Sequence, residues 1–222
     1  MKLFLSGGSS KPFNLDKEFI ETINKSKPLL YIPIAIDTKS HPYLECFEWV
    51  KRYFSGFNFS NIEMVTDLRK LSRKDLDKFG SVYIGGGNTP YLLKELKDSG
   101  FYKHLEYLAN KDIPLAGGSA GAIIFAKTIV PSLSSDENKV GLKDFSALNK
   151  LQGYDLDAHY EPSMDAEIKT YMKRYNLEKV IALPERCGVH VSNGKMKVFG
   201  EESAFIFDSK GKREVKHGEE FK

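Results

Sequence analysis

Only two cysteines occur in the 222 residues, Cys46 and Cys187, and they lie far apart with neither a Cys-x-x-Cys pair nor a Cys/His cluster. That pattern argues against a disulfide framework and against a zinc site, and it fits a reducing, cytoplasmic compartment. Long hydrophobic runs are missing too. No stretch approaches the roughly 18 apolar residues of a membrane-spanning helix, and Met1 leads directly into the strand-like "KLFLSGG" instead of a basic segment followed by a long apolar one. Neither export nor a membrane partner is expected. Charge of one sign is also lacking: 33 Lys plus Arg oppose 30 Asp plus Glu, a net +3. Lysine-rich stretches such as "LRKLSRKDLDKFG" carry interleaved acids, the pattern of a solvated helix face and not of a nucleic-acid stripe. Phosphate-binding loops are absent as well, since the chain has neither G-x-x-x-x-G-K-[ST] nor a G-x-G-x-x-G opening a helix after its first strand.

What is present is enough apolar residue, 41% of the chain, to bury a sizeable core. Short apolar runs recur, each closed by glycine, proline or polar residues: "LFLSGGSS", "LLYIPIAI", "IEMVTDL", "SVYIGGGNT", "IPLAGGSAG", "VIALPE" and "AFIFD". Between the early ones lie segments with helical spacing, such as Phe19, Ile20 and Ile23, or Leu44, Phe47, Val50 and Phe54. Strands alternating with helices predict an α/β fold, a mostly parallel sheet with helices on both faces. Toward the end, "VHVSNGKMKVFG" alternates and contains Asn193-Gly194, which predicts a C-terminal antiparallel hairpin; a strand and a charged tail follow. With no repeat, linker or break in composition, residues 1–222 are expected to form one α/β domain.

Four strand ends are glycine-rich or small: "SGGSS" at 6–10, "IGGGNTP" at 84–90, "GGSAGA" at 117–122 and "LPERCG" at 183–188. In an open parallel sheet the carboxyl ends of the strands share one edge, so these segments are expected to converge on one crevice. Within them, Gly117-Gly118-Ser119-Ala120-Gly121 matches G-x-S-x-G between a strand and a helix. A tight turn there lifts a serine hydroxyl above the sheet edge, and the helix N-terminus directs amides toward charge developing on a substrate oxygen. The amide of Ala120 and that of Gly86 or Gly87 are the candidate oxyanion donors. Asn88, next to those glycines, reads equally as a helix cap and as a substrate contact.

A serine hydroxyl needs a base to accept its proton and a group to orient that base. Of the five histidines, His217 lies in the charged tail, His104 on a surface-like helix, His41 in an early loop and His190 within an alternating strand. His159, in "GYDLDAHYEPS", can sit at a strand end and is the candidate base. Asp155, Asp157 and Glu161 are local candidates for the orienting acid, and Glu185 in "IALPERCG" is a nonlocal one.

Taken in order, "YIGGGNT", "GGSAGA", "DAHY" and "ALPE" followed by "VSNG" cover most of the chain, and this series resembles the peptidase E family of serine peptidases, which includes aspartyl dipeptidase and, more distantly, cyanophycinase. The resemblance implies a fold like that of class I glutamine amidotransferases. It also implies a Ser-His-Glu triad of Ser119, His159 and Glu185, with the "GGGNT" amides and that of Ala120 as the oxyanion hole. A small peptide substrate, no metal or organic cofactor, and room for a homodimer follow from it. Two departures stand out. The family carries "NPH" where this chain has Asp157-Ala158-His159, and Asp136 is only loosely placed as the acidic residue that the family has after its nucleophile helix. For an aspartyl substrate, Arg186 is the candidate cation. A noncatalytic ligand-binding domain of the same fold is the alternative reading.

Overall fold

The first strand, β1 (Lys2–Ser6), alternates between two apolar layers. In a computed structural model, which describes residues 1–222, Leu3 and Leu5 join one core and Phe4 another. The same alternation runs through β2 (Leu29–Ile32), β4 (Ser81–Ile84) and β5 (Leu115–Gly118), as a sheet covered on both faces requires. On the Phe4 side lie α1 (Asn14–Thr22) and α2 (Tyr43–Ser55), which bury Phe19, Ile20, Val50 and Phe54. Asp16 ties these helices together by accepting hydrogen bonds from the Phe13 amide and the Tyr53 hydroxyl, both at 2.9 Å. Burial pushes its carboxyl up to about 6 despite those donors.

The short strand β3 (Ile62–Met64) and the single turn α3 (Arg73–Leu76) lead into β4. On the other face, α4 (Thr89–Asp98), α5 (Phe101–Asn110) and α6 (Ala120–Ile123) bury Leu92, Leu96, Leu105 and Ile123 against Leu3 and Leu5. The chain then passes through β6 (Asp155–Ala158), α7 (Asp165–Tyr175), β7 (Val180–Leu183), β8 (Cys187–Ser192), β9 (Lys195–Gly200), β10 (Ala204–Asp208), β11 (Gly211–Val215) and β12 (Glu220–Phe221).

Twelve strands form two sheets. The larger has the order β12-β9-β8-β1-β5-β4-β2-β3 and is parallel from β1 through β3. Its other flank is antiparallel, built from the β8–β9 hairpin, whose turn residues Asn193 and Gly194 have φ of 50° and 69°. The α/β architecture, the helices on both faces and the C-terminal hairpin match the sequence reading.

The sequence reading placed all the strands in one sheet, and here the structure differs. β6 and β7 pair in parallel with each other and continue through β10 to β11 as a separate four-stranded sheet. The charged tail is also structured: β11 pairs with β10, and β12 closes the far edge of the larger sheet on β9. Four of the five residues of β11 are exposed, so the strand has no apolar face to betray it, and charged side chains suit an unprotected edge. No helix is long and apolar enough to cross a membrane.

The two sheets meet at the end of β1. The Gly7 amide donates to the Cys187 carbonyl at the start of β8, and the His159 amide, just past β6, donates to the Gly7 carbonyl at 3.1 Å. A side chain cannot fit there, because a Cβ on Gly7 would lie 2.1 Å from the Pro184 carbonyl oxygen.

Candidate active site

Ser119 sits between β5 and α6 with φ 51° and ψ −121°, a conformation costly for a residue with a side chain. Two contacts hold it there: its amide donates to the Ser6 carbonyl at 3.1 Å, and its carbonyl accepts from the Ala122 amide at 2.8 Å. The turn is so tight that a Cβ on Gly121 would lie 2.1 Å from the Ile84 carbonyl oxygen, which explains the second glycine of the motif. The hydroxyl therefore stands at the carboxyl edge of the larger sheet.

His159 comes from the other sheet, one residue beyond β6, and it too has positive φ, 55°. Its Nε2 lies 2.8 Å from Ser119 Oγ, and its Nδ1 lies 3.2 Å from Glu185 Oε1. Glu185 follows β7, the parallel neighbour of β6, so adjacent strands of the smaller sheet deliver both groups. The carboxylate is 62% exposed and the imidazole 49%, so this chain of contacts opens to solvent. Beneath the ring lies Gly8, where a Cβ would come within 2.4 Å of His159 Cε1.

The other acids considered as orienters face elsewhere. Asp155 is buried and accepts from the Thr128 amide and hydroxyl. Asp157 is buried and accepts from the Tyr171 hydroxyl at 2.7 Å. Glu161 has no bond to His159; neither do the remaining four histidines approach Ser119 within hydrogen-bond reach. Cys187 is buried, and burial pushes its thiol up to about 12, so it remains an unreactive thiol.

Gly86 is packed against Ser119, close enough that a Cβ on it would lie 3.2 Å from the serine Cβ. Neither the Gly86 nor the Gly87 amide donates to any group of the chain. Ala120 opens α6, where the first amides have no intrahelical acceptor. The amides of Gly86, Gly87 and Ala120, in the turns that flank Ser119, are thus without an acceptor in the chain.

The two candidate substrate contacts, Asn88 and Arg186, are bonded within the protein, Asn88 in the helix-cap role that was its equal reading. Asn88 caps α4: its side-chain oxygen accepts from the Tyr91 amide at 2.9 Å, and its side-chain nitrogen donates to the Glu137 carbonyl. Arg186 turns away from Glu185 to form a fork on the Glu201 carboxylate. Adjacency in sequence is a poor guide here, because successive side chains of an extended segment point in opposite directions.

The crevice at Ser119 has two chambers. The first, about 660 Å³, reaches toward α2 and is lined by Tyr31, Tyr83, Trp49, Arg52 and His41 among others. Tyr31 and Tyr83 occupy matching positions of β2 and β4, and burial holds both hydroxyls in their protonated form. The second chamber, about 370 Å³, lies between α6, the 3₁₀ turn at Val130–Ser134 and the end of β6. Sequence reasoning missed these linings. The paired tyrosines in "LLYI" and "SVYI" and the i, i+3 spacing of Trp49 and Arg52 were signals in hand, but their use depended on knowing which strands are neighbours.

Comparison with known proteins gives a consistent result. The family model for peptidase family S51 matches residues 3–199. An uncharacterized peptidase of Pasteurella multocida is 28% identical over 170 residues, covering 72% of this chain and 77% of its own. Peptidase E of a Nostoc species is 23% identical over 192 residues, 82% of this chain and 76% of that one. Among solved structures, a peptidase from an acI-B1 Actinobacterium superposes with a TM-score of 0.75 at 17% identity, covering 99% of this chain and 96% of that one, a likeness of fold.

Proposed function

Because the chain belongs to peptidase family S51 and is a peptidase of the serine type, we propose that Ser119 is its nucleophile, His159 the base and Glu185 the acid that orients the base. The observation that carries this reading is the 2.8 Å contact between His159 Nε2 and the hydroxyl of a serine held at positive φ. The substrate is a short peptide, and the compartment is the cytoplasm.

In the first step His159 Nε2 accepts the hydroxyl proton as Ser119 Oγ attacks the substrate carbonyl carbon. Glu185 holds Nδ1–H and so presents Nε2 as the acceptor, and it stabilises the imidazolium that forms. The carbonyl oxygen gains negative charge, which the free amides of Gly86, Gly87 and Ala120 receive; such donors are typically worth about 3–4 kcal/mol each in related chemistry. Collapse of the tetrahedral species breaks the C–N bond, and His159 returns the proton to the departing amine. Water, deprotonated by the same imidazole, then releases the acyl group and restores the serine. These steps are completed by this chain's own side chains and amides.

A fluorophosphonate probe tests the reading directly. Labelling is expected on Ser119, and Ser119→Ala is expected to lower peptide turnover by roughly 10⁴-fold or more. Wild-type turnover by Ser119→Ala, or labelling at another residue, overturns it.

A further inference from the structure

The first chamber carries hydrogen-bonding groups that the protein leaves unused. Tyr31 and Tyr83 are only 4% and 7% exposed, yet both line this space beside Ser119. Their rings pack side by side with centroids 5.9 Å apart, and their tips reach the carboxyl edge of the larger sheet. A Cβ on Gly85 would lie 3.4 Å from the Tyr31 hydroxyl, and one on Gly118 would lie 3.4 Å from the Tyr83 hydroxyl. No group of the protein hydrogen-bonds either oxygen; burial dominates the surroundings of both. A buried phenol normally has a hydrogen-bond partner, so two adjacent ones without any, both opening on the crevice, mark a place for a polar group of a ligand.

The wall around the two hydroxyls is uncharged. Pro33, Ile36 and Trp49 continue it toward α2, and the charged side chains of the lining, Glu45 and Arg52, are opposite in sign and both exposed. A charged group in the interior would meet no fixed countercharge and would lose its hydration, whereas a flat ring would bury its faces against Tyr31, Tyr83 and Trp49. The volume of about 660 Å³ falls within the roughly 300–1,000 Å³ of ligand pockets, and a short side chain would leave most of it unfilled. The chamber also lies on one side of the chemistry. His159 lines the second chamber and not the first. Its Nε2 must reach the departing amine, which puts the leaving half of the peptide on the His159 side and the acyl half in the first chamber.

We propose that the first chamber is the acyl-side subsite and that it selects a large, uncharged aromatic side chain with a hydrogen-bonding tip, a tyrosine-type phenol whose hydroxyl pairs with those of Tyr31 and Tyr83. The proposal deepens the peptidase reading and rests on the crevice at Ser119 being the substrate site. It gives this chain a preference different from that of the aspartyl dipeptidase it resembles.

Binding to the Ser119→Ala protein, measured by titration calorimetry, separates this inference from the catalytic one, because it requires no turnover. Tyrosyl-alanine is expected to bind at least about ten-fold more tightly than aspartyl-alanine or alanyl-alanine, and about five-fold more tightly than phenylalanyl-alanine, which lacks the hydroxyl. Alanyl-tyrosine carries the ring on the leaving side and is expected to lose the gain. Adding Tyr31→Phe and Tyr83→Phe together keeps both rings and removes both hydroxyls, which is expected to bring tyrosyl-alanine within about two-fold of phenylalanyl-alanine. Binding of any of the other four peptides as tightly as tyrosyl-alanine, binding of none, or a phenol preference that survives the double substitution overturns the proposal. The comparison of peptides stands even if the double variant does not fold. Failure of fluorophosphonate labelling, by contrast, removes Ser119 as nucleophile without bearing on these affinities.

Discussion

The two sheets contribute to the crevice in different ways. The larger one supplies the packed platform: β5 and α6 hold Ser119 in a strained turn, and the segment after β4 packs Gly86 against it. The smaller one supplies the more exposed groups, His159 and Glu185, whose side chains are 49% and 62% exposed beyond β6 and β7. Burial explains the difference. Both Ser119 and His159 hold an unfavourable positive φ, but the serine's turn is buried by its neighbours whereas the histidine's side chain reaches solvent. Gly7 and Gly8 are where the two contributions are brought into register.

The seam is therefore where the comparison breaks most easily. Gly8→Ala introduces a methyl 2.4 Å from the His159 Cε1 position, so the ring must leave Ser119 while both sheets persist. A displacement of about 1 Å is expected to lower kcat/KM by roughly 100-fold, with fluorophosphonate labelling slowed in parallel. Full activity in this variant would mean that the ring position is not set from beneath.

A smaller effect sharpens the contrast from the platform side. Asp16 is raised to about 6 by burial between α1 and α2, so the folded protein favours its protonated form. The stability this gives is fully present below the carboxyl's unfolded range, near pH 4, and is lost as pH rises through about 6. Asp16→Asn removes the penalty of ionisation, and it is expected to raise stability at about pH 8 by on the order of 2 kcal/mol, with the difference vanishing below about pH 4. Denaturant unfolding at the two pH values checks it, and equal differences at both would sink the assignment.

The smallest expected change is at Arg186. Its guanidinium is committed to Glu201 on the solvent side, so Arg186→Met is expected to alter kcat/KM by less than about two-fold for acidic and neutral peptides alike. A selective loss on acidic peptides would return Arg186 to the substrate site.

Much of the fold was legible because buried strands write themselves as short apolar runs and helices as 3.6-residue spacing. The seven runs and the Asn193-Gly194 hairpin all appear where those periods place strands. Strand partners were not legible. Nothing local in "YDLDA" or "VIAL" distinguishes the edge of one sheet from a second sheet, and β11, with charged residues on both faces, has no period at all. At the site, residue types and order marked Ser119, His159 and Glu185 as candidates, whereas the choice between helix cap and substrate contact for Asn88, and the partner of Arg186, were not legible because a side chain's direction depends on which cap or carboxylate it meets. Arg52 and Tyr83 were passed over for the converse reason: helix and strand residues gain a role only from the space they happen to line.

By itself, then, the amino-acid sequence determined the local conformations: the strand-to-helix turn at Ser119, the glycines that make it possible, and the apolar periods that cover a sheet on both faces. These depend on neighbours within a few residues. Only the tertiary structure decided that β6 and β7 leave the main sheet, that His159 reaches Ser119 across a glycine seam, and that Tyr31, Tyr83 and Trp49 line one chamber. Those outcomes are set by contacts between residues distant in the chain, whose energies no local pattern encodes.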